Sequence, residues 1–126
     1  MSRNYMSSGD ELRKGDCLLS NNRSYEATFQ EDGNFVIYNT SHTAVWATDT
    51  GGWTEAHSLR MQIDGNVVMY SKDGHALWET QTSSSSSEGC VMYHHFYLTD
   101  DGNLVLERDL KEVWNSARSK GHKLKG

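Results

Sequence analysis

The amino-acid sequence predicts an all-β domain assembled from three small antiparallel sheets, on three observations. A nine-residue block recurs: residues 30–38 read Gln-Glu-Asp-Gly-Asn-Phe-Val-Ile-Tyr, residues 62–70 read Gln-Ile-Asp-Gly-Asn-Val-Val-Met-Tyr, and residues 99–107 read Thr-Asp-Asp-Gly-Asn-Leu-Val-Leu-Glu. Each block leads to a tryptophan, Trp46, Trp78 and Trp114, and each contains an Asp-Gly pair between apolar runs. No segment has a helical period. Units this small cannot hold separate cores, so their apolar faces must be pooled around one centre.

The elements follow in order from turn chemistry. Asp-Gly between alternating runs marks a tight hairpin, because glycine supplies positive φ freely. Asp32-Gly33, Asp64-Gly65 and Asp101-Gly102 are therefore predicted two-residue hairpin tips. In the strand after the first tip, Phe35 and Ile37 face one way, and Asn34, Val36 and Tyr38 the other; Val67 and Met69 oppose Asn66, Val68 and Tyr70 in the second copy. A further short strand holds each tryptophan, at 44–46, 76–78 and 112–114. The predicted core is Phe35, Ile37, Val67, Met69, Leu104 and Leu106 with the three tryptophans. The repeats span about 24–47, 57–79 and 93–115. Between the second and third lies a serine run, 81–89, with nothing to bury, expected as a surface loop.

The 126 residues are enough for one domain, here placed at 1–117. Proline is absent, which excludes a polyproline ligand or Pro-rich linker. With 36% hydrophobic residues and a mean hydropathy of -0.73 the core is thin, but 10% aromatics argue against disorder. Residues 1–16 lack an apolar stretch, so no secretory signal is expected in them, and the compartment stays open between the cytoplasm and a non-classical route out. Two glycosylation-type triplets, Asn22-Arg23-Ser24 and Asn39-Thr40-Ser41, matter only in the secretory pathway. Four of the twelve basic residues fall in the last nine positions, leaving eight against seventeen acids in residues 1–117. A body that acidic repels phosphate backbones, so nucleic acid is not an expected partner. The basic tail, 118–126, is expected to fray into solvent. Cys17 and Cys90 fit free thiols as well as a bridge closing a long loop.

The second face of the repeat points to function. In the first two copies a Gln, an Asp, an Asn and a Tyr gather around one Val beside the hairpin tip. Turn duty explains Asp and Asn in any hairpin. It does not explain why Gln and Tyr recur with them and vanish together from the third copy. The set offers a carboxylate acceptor, two amides, a phenol and a small apolar patch, which matches the hydroxyls and C–H face of a sugar. Short side chains on a hairpin also lose little entropy on binding.

The pattern Gln-x-Asp-x-Asn-x-Val-x-Tyr resembles the signature of the bulb-type (monocot-type, B-type) mannose-binding lectins, whose relatives also occur in fish and other animals. The resemblance runs from about Leu12, where Leu-Arg-Lys-Gly-Asp-Cys-Leu looks like the family's opening strand, to about Ala117. It implies a β-prism II fold: three four-stranded antiparallel sheets with pseudo-threefold symmetry and the tryptophans at the centre. It also implies calcium-independent binding of terminal mannose. The first site would be Gln30, Asp32, Asn34, Val36 and Tyr38, and the second Gln62, Asp64, Asn66, Val68 and Tyr70. Asp and Asn would hold the axial 2-hydroxyl, Gln the 3-hydroxyl and Tyr the 4-hydroxyl, with Val under the ring carbons. The third copy, Thr99, Asp101, Asn103, Val105 and Glu107, has lost both distal contacts and is expected to be dead or weak. The family disulfide does not carry over, because Cys17 and Cys90 fall in different segments. The resemblance implies a homodimer, commonly formed by exchange of C-terminal strands, which the basic tail would alter.

An enzyme, a cofactor and a bound metal are not expected. The aspartates repeat with the fold rather than pairing for acid–base work, and the six histidines, His94-His95 included, lack ligand spacing. The alternative to a lectin is a protein-interaction or structural module on a threefold β scaffold with vestigial sugar sites.

Overall fold

A computed structural model describes residues 3–84 and 93–125. Among these residues there are thirteen strands and no helix: β1 (Tyr5–Ser7), β2 (Glu11–Arg13), β3 (Cys17–Leu19), β4 (Tyr25–Phe29), β5 (Phe35–Asn39), β6 (Ala44–Ala47), β7 (Ala56–Met61), β8 (Val67–Ser71), β9 (Ala76–Glu79), β10 (His94–Leu98), β11 (Leu104–Arg108), β12 (Lys111–Asn115) and β13 (His122–Lys123). Each repeat supplies three consecutive strands to one antiparallel sheet, and the amino-terminal segment supplies the fourth: β3-β4-β5-β6, β2-β7-β8-β9 and β1-β10-β11-β12. The second sheet is five-stranded rather than four-stranded, because β13 adds to β9.

The stretch that resembles one opening strand is two strands in two sheets. Gly9 and Gly15, with φ of 93° and 94°, turn the chain at two successive corners. At these corners the Asp10 and Asp16 carboxylates accept the amides of Ser7 and Arg13, each at 2.8 Å. The segment thus visits the third, second and first sheets in turn, and puts Met6, Leu12 and Leu18 into the core.

The hairpin tips also differ from expectation. Gln30 and Asn34 close a three-residue loop, with the Gln30 amide donating to the Asn34 carbonyl at 2.8 Å and the Gly33 amide to the Gln30 carbonyl at 3.0 Å. Gln62 with Asn66, and Thr99 with Asn103, repeat both bonds. Only the glycine of each tip takes positive φ, as a turn followed by a left-handed residue requires. That glycine is also a packing point. A Cβ on Gly33 would lie 2.2 Å from the Trp53 carbonyl oxygen, on Gly65 2.5 Å from His94 Nε2, and on Gly102 2.6 Å from the Tyr25 ring. The first tip therefore seats on the segment leading into the second repeat, the second tip on the third repeat and the third tip on the first.

The expected core is present: Phe35, Ile37, Val67, Met69, Leu104 and Leu106 are all fully buried. Trp114 meets Trp46 and Trp78 edge-on, with ring centroids 6.0 and 6.4 Å apart.

The tail does not fray. Three indole N–H groups turn toward it: Trp46 donates to the Ser119 carbonyl at 3.1 Å, Trp78 to the Lys120 carbonyl at 2.7 Å and Trp114 to the Ser119 hydroxyl at 3.0 Å. An indole donor taken out of water needs a partner, and the Ser119 and Lys120 carbonyls and the Ser119 hydroxyl supply it. Lys120 pairs with Asp49 at 2.9 Å, Lys125 pairs with Glu55, and Lys123 and Lys125 lie over the Trp53 ring. Charge alone suggested a solvated end, whereas the unfilled donors of the tryptophan cluster dock it. The docked strand covers one edge: the Leu124 amide donates to the Leu77 carbonyl at 2.8 Å, and Leu77 is buried, whereas Val45 at the equivalent place on β6 is exposed.

Candidate binding site

The loop closure places the motif residues on one sheet face. Gln30 and Asn34 pair across the loop, Val36 follows on β5, and Tyr38 lies two residues further on the same face. The Gln30 side-chain amide donates to the Tyr38 hydroxyl, so these two residues form one unit. Asp32 Oδ1 accepts the Asn34 backbone amide at 2.9 Å. The Asn34 side-chain oxygen is held by the Thr48 hydroxyl at 3.2 Å and the Thr50 amide at 3.1 Å. Its Nδ2 has no partner among the described residues and lies beside Asp32 at the open side of Gly51. The outcome is a fixed amide donor next to a carboxylate acceptor, the pair needed to grip a hydroxyl that both donates and accepts. Val36 is only 3% exposed, so it forms the floor of the site rather than a broad apolar platform.

The second copy repeats this frame. Asp64 Oδ1 accepts the Asn66 amide at 3.0 Å, and the Asn66 side-chain oxygen accepts from the Thr80 hydroxyl at 3.0 Å and the Thr82 amide at 3.2 Å. The Tyr70 hydroxyl donates to Gln62 Oε1, and Gln62 Nε2 donates to Asp64 at 3.1 Å. One partner is new: Asn66 Nδ2 donates to Glu79 Oε1 at 2.6 Å.

The third copy is built differently. The Asn103 side chain has no partner among the described residues, and the Asn103 backbone amide donates to the Thr99 hydroxyl at 3.1 Å. Glu107, in the place of Tyr38, accepts the Tyr97 hydroxyl at 2.7 Å. Burial, then that hydrogen bond, push the Tyr97 phenol up to about 12. Asp101, Asn103, Val105 and Glu107 thus keep their places, but the Gln–Tyr unit is gone.

No family model matches the chain. It is 48% identical over 120 residues, 95% of this chain and 100% of the relative, to the B-type lectin plumieribetin of Scorpaena plumieri. The chain belongs to the bulb-type (B-type) lectin family. The lectin's fold matches that of the monomeric monocot mannose-binding lectins from Gastrodia elata, with a TM-score of 0.77 and 29% identity over 92% of this chain and 98% of that one. It also matches the mannose-specific agglutinin of snowdrop (Galanthus nivalis) bulbs complexed with methyl-α-D-mannoside, with a TM-score of 0.69 and 32% identity over 82% and 88% of the two chains. The fold is the β-prism II, and the relatives are carbohydrate-binding proteins rather than enzymes.

The motif omits the residues that hold its asparagines. Thr48 and Thr50 tie Asn34 to Gly33: their hydroxyls meet at 2.7 Å, and Thr50 donates to the Gly33 carbonyl at 2.7 Å. Thr80 and Thr82 do the same for Asn66 and Gly65. The signal was available, since Trp-x-Thr-x-Thr recurs at 46–50 and 78–82 and degrades to Trp114-Asn115-Ser116-Ala117-Arg118 in the third copy. In that copy Arg118 stands where a second threonine would hold the asparagine.

The second loop of the lectin is buttressed from the third repeat. His94 is 1% exposed and its Nδ1 has no partner among the described residues, while its Nε2 accepts Arg108 Nε at 3.1 Å under Gly65. Arg108 also donates to the Thr82 carbonyl. Burial and then the Arg108 charge hold His94 below the ordinary imidazole range. The unfolded chain therefore binds a proton that the folded one refuses, in the window from about pH 6.5 down to the lowered folded value. Stability is full above that window and is lost as pH falls through it. Thermal melts recorded from neutral to about pH 5 are expected to show this loss, with a flatter slope for His94→Gln. Cys17 is half-buried on β3, and Cys90 lies outside the described residues, as does most of the serine run.

Proposed function

We propose that the lectin binds terminal mannose on glycans, without calcium, through the site of Gln30, Asp32, Asn34, Val36 and Tyr38 and that of Gln62, Asp64, Asn66, Val68 and Tyr70. The observation behind this reading is the asparagine frame. Two threonine donors fix each Asn oxygen, so its orientation is set before any sugar arrives and little entropy is lost on binding. Asn34 Nδ2 and Asp32 then meet the axial 2-hydroxyl, while the Gln30–Tyr38 unit reaches the 3- and 4-hydroxyls. Glucose, with an equatorial 2-hydroxyl, fits this corner less well. The third copy lacks both the Gln–Tyr unit and the threonine frame and binds weakly or not at all.

No group of three or more His, Cys, Asp or Glu side chains able to hold a metal ion occurs among the described residues. One monosaccharide held by hydrogen bonds binds at about the millimolar level, about -4 kcal/mol. Two sites per chain, four in a homodimer, raise this through multivalency. A glycan array with EDTA present, with and without methyl α-mannoside as competitor, tests the reading. Competed binding to mannose-terminated glycans is expected. A chain that ignores mannose glycans while binding a protein partner would instead be an interaction module with vestigial sites.

A further inference from the structure

The two intact copies differ at a residue that bonds the asparagine side chain in only one of them. Ala47 follows Trp46 and Glu79 follows Trp78, and each stands across its sheet from the motif valine, Val36 or Val68. The hydrogen-bonding sense of the site also differs between the copies. In the first copy Asn34 Nδ2 has no partner among the described residues, and the Tyr38 hydroxyl accepts from the Gln30 side-chain amide, so its own proton is not used in that bond. In the second copy Asn66 Nδ2 donates to Glu79 Oε1 at 2.6 Å, the Tyr70 proton goes to Gln62, and Gln62 Nε2 goes to Asp64. The side-chain donors are turned inward, and what faces out at the asparagine corner is two carboxylates, Asp64 and Glu79, both bonded to Asn66.

Other charged and titratable groups stand near both sites: Arg108 packs under Gly65 and donates to the Thr82 carbonyl, and His122 on β13 stands directly across from Glu79. Arg60 lies over the Tyr70 ring, at the far end of the site, and pairs with Glu11 at 3.2 Å. Glu26 faces Tyr38 at the far end of the first site. Asp49, where the second copy has Gln81, is neutralised by Lys120 at 2.9 Å.

We propose that Glu79 is the specificity-determining residue of the second site, and that it tunes the site toward a saccharide bringing a cationic donor, a 2-amino-2-deoxy sugar with a protonated amine, while the first site prefers the neutral 2-hydroxyl. This rests on the mannose reading, which places the 2-substituent at the asparagine corner. An ammonium group offers three donors and a charge to two acceptor-only carboxylates, and charge-assisted bonds are the stronger kind. A neutral sugar must compete with Glu79 for Asn66.

Because Glu79 is half-exposed and Ala is the first copy's own residue, Glu79→Ala leaves the fold intact. Backbone amide resonances of Gly33 and Gly65 report the two sites separately in one titration. Methyl α-mannoside and 2-amino-2-deoxymannose are titrated just below neutral pH, where the amine is protonated. In the wild type the preference for the amino sugar over the mannoside is expected to be about tenfold greater at Gly65 than at Gly33. It should equalise in Glu79→Ala and appear at Gly33 in Ala47→Glu. Equal preferences at the two loops of the wild type, or a preference at Gly65 that survives Glu79→Ala, overturns the proposal while leaving the mannose reading intact. If neither loop responds to either sugar, the mannose reading fails and the proposal with it.

Discussion

Replacing Asn34 and Asn66 together by alanine abolishes detectable binding of methyl α-mannoside, and each single replacement removes one site. A hydroxyl that loses its fixed amide donor loses about tenfold in affinity, and from a millimolar start that puts the complex out of reach. The single variants differ in stability. Asn34→Ala strands the Thr50 amide, which donates to Asn34 Oδ1 at 3.1 Å, and costs about 1 to 2 kcal/mol. Asn66→Ala costs more, since Asn66 is 5% exposed and also serves Thr80, Thr82 and Glu79. Titration calorimetry together with urea unfolding separates the two effects, because a folded double variant that still binds mannoside would remove both asparagines from the site.

Truncation after Ala117 is expected to cost about 3 kcal/mol, from three indole hydrogen bonds at about 1 kcal/mol each. That is a large share of a typical domain's stability. It also uncovers the outer strand β9, whose Leu77 carbonyl now receives the Leu124 amide. Urea unfolding should show an earlier midpoint, and tryptophan fluorescence should shift to the red as water reaches Trp46 and Trp78. Gly121→Val is the milder counterpart: Gly121 has φ of 72°, and a Cβ there would lie 2.2 Å from the Trp78 ring. An unchanged midpoint on truncation would mean that the tail frays, as its charge alone suggests.

The three-sheet architecture was legible because the Asp-Gly-Asn block fixes loop, register and face at once, and the alternation after it sorts Phe35 and Ile37 from Val36 and Tyr38. The amino-terminal path was less so. It is written in a shorter repeat, Gly9-Asp10-Glu11-Leu12 and Gly15-Asp16-Cys17-Leu18, whose strands are too brief for alternation to register. The tail was misread because its lysines and arginine speak for solvent, while the three indole donors that dock it are far away in sequence. In the site, the motif residues were found from their recurrence. The threonines behind Asn34 and Asn66 lie beyond each tryptophan, outside the nine-residue block, and Glu79 breaks the repeat instead of following it. Repetition reveals what two copies share, so a residue that makes them differ emerges only from its contact with Asn66.

Whether sugar binding follows the complete motif is tested most directly by counting sites on the intact chain. Titrating methyl α-mannoside while following the amides of Gly33, Gly65 and Gly102 should give two saturating responses, at Gly33 and Gly65, unchanged by EDTA, with Gly102 still. Three equal responses, or none, would contradict it.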